Sequence, residues 1–150
     1  MNVRDAAEED VGWMLKELEE FGKFFGSTVI VFEPEYAREF LPIFIRDHLC
    51  LVAVDDSGAP YGFLGAFVNP HPYSPKVCTV AEAFFWVKKE RRGGRAAVML
   101  MDEYVKRARE SDVRPMLVTM SKLSNSPLSP ESLEKRGFHK HEESYIMELV

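Results

Sequence analysis

The sequence predicts an α/β (α+β) domain in which helices flank a sheet, and three observations carry that reading. Short apolar runs rich in β-branched and aromatic residues alternate with stripes at helical spacing, in the order β-α-α-β-β-β-α-β-α-β. The longest strand-like run, Thr79 to Val87 (TVAEAFFWV), turns through a basic, glycine-containing segment, Lys88 to Arg95, into an amphipathic helix. Ala97, Leu100, Met101, Tyr104 and Ala108 mark the buried stripe of that helix. Finally, 150 residues, 46% hydrophobic and 29% charged, suit one globular domain over residues 1–150 with a core of its own.

Each element follows from local signals. Asn2 to Arg4 reads as a short first strand. Val11, Met14, Leu15, Leu18 and Phe21 then form a helical stripe, with Glu17, Glu19 and Glu20 facing out and Gly22 placed as terminator. That helix starts either at an Asp5–Glu8 capping box or nearer Glu8. Residues 23–33 read as a loop with room for a short strand over Thr28 to Phe32. Pro34 suits a first helical position and Tyr36, Ala37, Phe40 and Leu41 supply the stripe. Pro42 is expected to kink or split this helix before Ile43 to Leu49. Cys50 to Val54 and Tyr61 to Val68 flank the turn Asp55-Asp56-Ser57-Gly58 and predict an antiparallel hairpin. Asn69 to Pro75, with three prolines, is expected to be irregular. Pro115 to Met120 reads as a strand, and Ser129 with Pro130 opens a short helix ending at Arg136-Gly137. Glu142 to Leu149 alternates imperfectly and reads as a final strand.

Composition removes several function classes. A net charge of −5 argues against nucleic acid as the main partner, because phosphate binding needs a basic face. Cys50 and Cys78 lie inside apolar runs and read as buried free thiols of a reducing compartment rather than as a disulfide. The polar N-terminus does not fit a signal peptide, and no apolar run approaches the ~20 residues of a membrane helix. A cytoplasmic protein without membrane contact is therefore expected. His71 has no second His, Cys or carboxylate at ligand spacing, so no metal site is expected. Loop packing is favoured for His71 over contact with substrate.

The strand–turn–helix unit carries the chemistry. The first turn of a helix leaves N–H groups unpartnered, the macrodipole adds positive charge, and glycines let an anion approach the backbone. A P-loop would need a lysine–hydroxyl pair after Gly94, and a dinucleotide fingerprint would need GxGxxG; neither is present. What remains is Arg91-x-x-Gly94-x-Ala96. It resembles the acyl-CoA pyrophosphate loop, Q/R-x-x-G-x-G/A, of the GNAT acetyltransferase superfamily. Arg4-x-Ala6-x-x-x-Asp10 resembles that family's opening strand and helix, and Leu133-Glu134-Lys135-Arg136-Gly137-Phe138 resembles its C-terminal signature.

The resemblance implies a GNAT fold: a mixed, mostly antiparallel sheet of six to seven strands with about four helices, in which strands four and five splay apart. Strand four would be Thr79 to Val87 and strand five Pro115 to Met120. It also implies acetyl-CoA as co-substrate. Backbone N–H groups of Arg92, Gly93, Gly94, Arg95, Ala96 and Ala97 would hold the pyrophosphate, Val87 would pair with pantetheine, and the Val87 amide or one near it would polarise the thioester carbonyl. Lys88, Lys89, Arg91 and Arg95 are either phosphate partners or solvated charges. Phe24, Phe25 and Tyr36 either shape the acceptor pocket or pack the core.

Glu82 is the only charge between Thr79 and Val87, and burying an unpaired carboxylate is costly. It either pairs as a structural group or takes a raised pKa, which suits a general base for an ammonium nucleophile. In some members of the family a strand-four glutamate has that role. The tyrosine that often protonates the departing thiolate is replaced by Leu133, leaving Ser126, Ser132, Tyr104, a water, or no acid at all. The expected function is N-acetyl transfer to a primary amine of a small molecule or peptide by direct attack. A non-catalytic acyl-CoA-binding sensor or scaffold is the alternative, and an interaction module without ligand a further one. A homodimer is compatible with the family, though no residue specifies an interface.

Overall fold

The computed structural model describes residues 2–114, 116–123, 126 and 128–149. Among them, five strands form one sheet in the order β1 (Asn2–Asp5), β2 (Leu49–Val54), β3 (Pro60–His71), β4 (Ser74–Val87) and β5 (Met116–Thr119). Neighbours are antiparallel as far as β4, and β4 and β5 are parallel. The helices are α1 (Val11–Phe25), α2 (Pro34–Asp47), α3 (Ala96–Glu110) and α4 (Pro130–Glu134).

Strand alternation divides the core between two faces. Cys50, Val52 and Val54 of β2 pack with Phe63, Phe84 and Trp86 against α1 and α2, through Met14, Leu15, Leu41 and Phe44. Leu51 and Ala53 pack with Leu64, Val80 and Val87 against Leu100 and Tyr104 of α3. A sheet covered on both faces explains the nearly unbroken apolar runs of β2 and β4. Gly65 makes room for two rings, since a β-carbon there would fall 2.2 Å from the Phe84 ring and 2.8 Å from that of Phe44.

Several expectations are corrected. α1 continues through Gly22 to Phe25, and Gly26, with φ 73°, is the residue that ends it. Phe24 extends the apolar stripe one turn by meeting Trp86 edge to face at 5.9 Å. Asp5 caps nothing and pairs with Arg107; buried Asp10 accepts the Ala7 N–H at 2.9 Å and forms a two-point pair with Arg4 at 2.7 and 2.9 Å. Glu17 does not face out: it accepts the indole N–H of Trp86 at 2.8 Å. α2 runs unsplit through Pro42, because the missing N–H costs only a bond to the carbonyl of Arg38, on the exposed side of the helix.

Asn69 to Pro75 is more regular than three prolines suggest, with β3 reaching His71 and β4 starting at Ser74. β2 ends its pairing at Leu49 opposite Ala66; beyond that point the Val68 N–H on the outer edge of β3 donates to Nδ1 of His48 at 3.1 Å, and Pro70 interrupts no described ladder there. The strand expected over Pro115 to Met120 spans Met116–Thr119; Pro115 lies outside the described residues. Thr28 to Phe32 is loop, and Glu142 to Leu149 is not a strand. Tyr145, Ile146 and Met147 are consecutive apolar residues that no alternating register can place on one face, and they are 73–89% exposed. Glu148 is bonded instead to the hydroxyls of Ser27 and Thr28. The described sheet thus has five strands rather than six or seven. Both cysteines are free, Cys50 buried and Cys78 half-buried. Among the described residues, no helix is long and apolar enough to cross a membrane.

Candidate active site

Among the described residues β4 and β5 share four register pairs, from Cys78 opposite Met116 to Ala81 opposite Thr119. Beyond the last pair the strands part. The hydroxyl of Tyr104, on α3, lies 2.9 Å from the carbonyl oxygens of both Val80 and Thr119, and its one proton is shared between them at the point of divergence. Past it the β4 edge is open. The Lys88 N–H donates to Tyr61 on the β3 side at 2.9 Å, so alternation turns the N–H and C=O groups of Phe85 and Val87 toward the open side. There the Val87 carbonyl accepts from Nε of Arg92 at 2.9 Å.

A bulge re-aims the strand within this stretch. Gly65 pairs with Phe84 and Ala66 with Glu82, which leaves Ala83 as an extra residue in β4. Glu82 stands beside it, half-buried, with Oε2 accepting the N–H of Ser121 at 3.2 Å. Desolvation pushes the Glu82 carboxyl up to about 7, against the opposing pull of the Ser121 N–H, which favours the charged form.

The glycine turn closes the other end. A 3-10 turn over Lys89–Arg91 leads to Gly93, whose φ of 79° demands glycine, and then to the mouth of α3. α3 has no side-chain cap. Among the described residues the N–H groups of Gly93, Gly94, Arg95, Ala96 and Ala97 make no hydrogen bond, whereas that of Arg92 donates to Lys89 at 3.3 Å. Three of these residues and Glu82 line one cavity of about 600 Å³, Gly93 and Gly94 from the loop, Ala97 from the first turn of α3, and Glu82, Phe85 and Val87 from β4. Arg95 and Ala96 line a neighbouring recess of about 240 Å³ instead.

The basic side chains are dispersed. Lys88 turns to Glu17 on α1 at 3.9 Å, and Arg91 turns to Asp55 at 3.6 Å while lying over the Tyr61 ring. Arg92 folds against the cavity wall, its guanidinium 4.1 Å from the Trp86 ring centroid and 5.4 Å from that of Phe24. Of the acids considered, Tyr104 is fully buried and committed to two carbonyls, while Ser126 and Ser132 line the cavity. Ser132 Oγ accepts from Arg136 at 2.9 Å, and Leu133 is not a lining residue. Phe24 and Phe25 line the cavity; Tyr36 stacks on Phe40 and is 64% exposed, and His71 accepts the Tyr73 N–H at the hairpin tip. Sequence reasoning missed Phe21, Trp86 and Ser129 as lining residues, because their placement depends on the extra turn of α1, the bulge at Ala83 and the loop after β5. Among the described residues no group of three or more His, Cys, Asp or Glu side chains could hold a metal ion.

The model of the acetyltransferase (GNAT) family matches residues 14–127. No curated protein matches the sequence. Among solved structures, a probable acetyltransferase is 21% identical with a TM-score of 0.73, covering 100% of this chain and 99% of the other. A predicted acetyltransferase with acetyl-CoA from Clostridium acetobutylicum is 14% identical, TM-score 0.70, covering 98% of this chain and 95% of its own. An aminoglycoside acetyltransferase from an uncultured soil metagenomic sample is 17% identical, TM-score 0.67, covering 99% and 98%. At these identities the likeness shows the fold.

Proposed function

Because this chain belongs to the acetyltransferase (GNAT) family, we propose that it transfers an acetyl group from acetyl-CoA to a primary amine of a small molecule or peptide by direct attack. One observation carries the reading: a single cavity joins the amides of Gly93, Gly94 and Ala97, unpartnered among the described residues, to a half-buried carboxylate that desolvation pushes up to about 7. The uncapped N–H groups of Gly93, Gly94 and Ala97, with the α3 dipole behind them, fit a diphosphate. Acetyl-CoA, which the Clostridium acetobutylicum neighbour carries, supplies the activated acyl group when bound.

The residues of the chain then have separate tasks. Glu82 is ionised in part at neutral pH and accepts the proton of an ammonium nucleophile. The Val87 N–H, on the open edge of β4, donates to the thioester carbonyl oxygen and favours the charge that develops there. For pantetheine to pair with the Val87 carbonyl, Arg92 has to release that acceptor, and the faces of Trp86 and Phe24 keep its guanidinium at the rim. Neither metal nor nucleic acid has a part in this reading, and two free thiols support a reducing, cytoplasmic setting.

A second reading, an acyl-CoA-binding sensor without turnover, is favoured by Leu133 at the position of the family's usual acid. Calorimetric titration with acetyl-CoA and thiol release on an amine panel decide between them. Binding with turnover is expected. Binding without turnover on any amine selects the sensor, and absence of binding near millimolar acetyl-CoA removes both.

A further inference from the structure

One wall of the cavity is aromatic. Phe21, Phe24 and Phe25 line it from the last turns of α1, and Trp86 meets Phe21 and Phe24 edge to face at 5.8 and 5.9 Å. Phe21 and Phe24 also pack against the core between α1, α2 and the sheet. Phe25 is outside that packing. It lies at the end of α1 ahead of left-handed Gly26, lines the cavity, and makes its ring contact with Phe21 at a centroid distance of 6.3 Å. A large apolar side chain held at a cavity wall without joining the core is positioned for what enters the cavity.

The charge of the lining narrows that guest. Among the described lining residues Glu82 is the single carboxylate, and the other formal charges are Arg91 and Arg92, near the positive mouth of α3. A polyamine or aminoglycoside brings several ammonium groups. Each one beyond the first would enter without an anionic partner, beside arginines of like charge. One ammonium on an uncharged ring system meets both features, the carboxylate and the aromatic wall.

We propose that the acceptor is a monoamine on an aromatic, uncharged body, of the arylalkylamine class, and that Phe25 with Phe24 sets this selectivity. The inference rests on the acetyl-transfer reading above. In the step, Glu82 takes one proton from the ammonium, the freed amine nitrogen bonds to the acyl carbon, the carbon–sulfur bond breaks with its electron pair leaving on sulfur, and the second proton of the nitrogen passes to that thiolate.

The test is thiol release from acetyl-CoA by the full chain, with phenethylamine and tryptamine set against spermidine and kanamycin. The aryl amines are expected to lead in kcat/KM by about a hundredfold, the scale a matched pocket supplies. Phe25→Ala is expected to raise the KM for phenethylamine about tenfold while the KM for acetyl-CoA stays within about twofold. Phe25→Tyr, which keeps the ring, restores it, and unchanged thermal melting of both variants excludes a folding defect. Equal or better turnover of spermidine or kanamycin overturns the acceptor class and leaves acetyl transfer standing. A Phe25→Ala loss confined to the acetyl-CoA KM assigns the wall to the donor and overturns the inference as well. Bound acetyl-CoA with no amine turned over overturns it together with catalysis, and no acetyl-CoA binding removes the reading beneath it.

Discussion

The backbone N–H of Ser121 donates to Oε2 of Glu82 at 3.2 Å, across the opening where β4 and β5 separate. This one bond ties the carboxylate on β4 to the chain just after β5 and fixes where it stands relative to both arms of the fork. It stabilises the ionised form while burial opposes it, and burial prevails.

Glu82→Gln keeps the shape and removes the proposed base. Steady-state kinetics should show kcat reduced between about 10²- and 10⁴-fold, the usual span for a lost general base. Acetyl-CoA affinity by calorimetry should stay near that of the parent. A variant with parental turnover would take Glu82 out of the mechanism.

The same group sets a pH signature. Wild-type kcat/KM should rise with pH through an inflection near 7, as Glu82 gives up its proton, and the inflection should vanish in Glu82→Gln. Stability should move the opposite way. The folded carboxyl holds its proton up to about 7 while the unfolded one ionises near 4.5, so the folded state binds more protons in that window and stability falls as pH rises through it. Glutamine escapes this loss, so Glu82→Gln should melt above wild type at pH 8 and coincide with it at pH 4. Equal offsets at both pH values would show that burial of charge is not the cause.

Gly94 tests the anion site. A β-carbon there would find only the Arg91 carbonyl, at 3.5 Å, so the fold accepts a side chain. Gly94→Leu nevertheless fills space lining the cavity, and should weaken acetyl-CoA binding about tenfold, or roughly 1.4 kcal/mol, with melting little changed. Parental affinity in this variant would move the diphosphate elsewhere.

Tyr104→Phe tests the fork itself. Removing the hydroxyl strips the donor from two carbonyls, at Val80 and Thr119, and should cost about 1–3 kcal/mol in urea unfolding. If the bond holds the divergence point in place, kcat should fall by more than acetyl-CoA affinity does. A loss of stability with unchanged kcat would restrict Tyr104 to packing.

Much of this site could be read from residue order alone. Glu82 declared itself as a lone charge in an apolar strand, and Gly93-Gly94 as a break before an amphipathic stripe. What could not be read has a physical reason in each case. The bulge at Ala83 is a register event with no composition of its own, yet it decides which face Glu82 and Trp86 occupy. Gly22 and Gly26 are both plausible terminators; only the contact of Phe24 with Trp86 selects the second. Pro70 looked like a strand breaker because the sequence does not say that β2 stops short of it. Glu17 seemed solvated until the Trp86 indole was placed within 2.8 Å.

The brevity of the β4–β5 joint reaches beyond the chemistry. Among the described residues β5 is an edge strand, held to β4 by four register pairs, by the Tyr104 hydroxyl and by the Ser121–Glu82 bond. A molecule lodged across the gap would act as a rivet between the two arms. Amide exchange in β5 should therefore slow more than in β2 when the donor is added, and the melting point should climb with donor concentration.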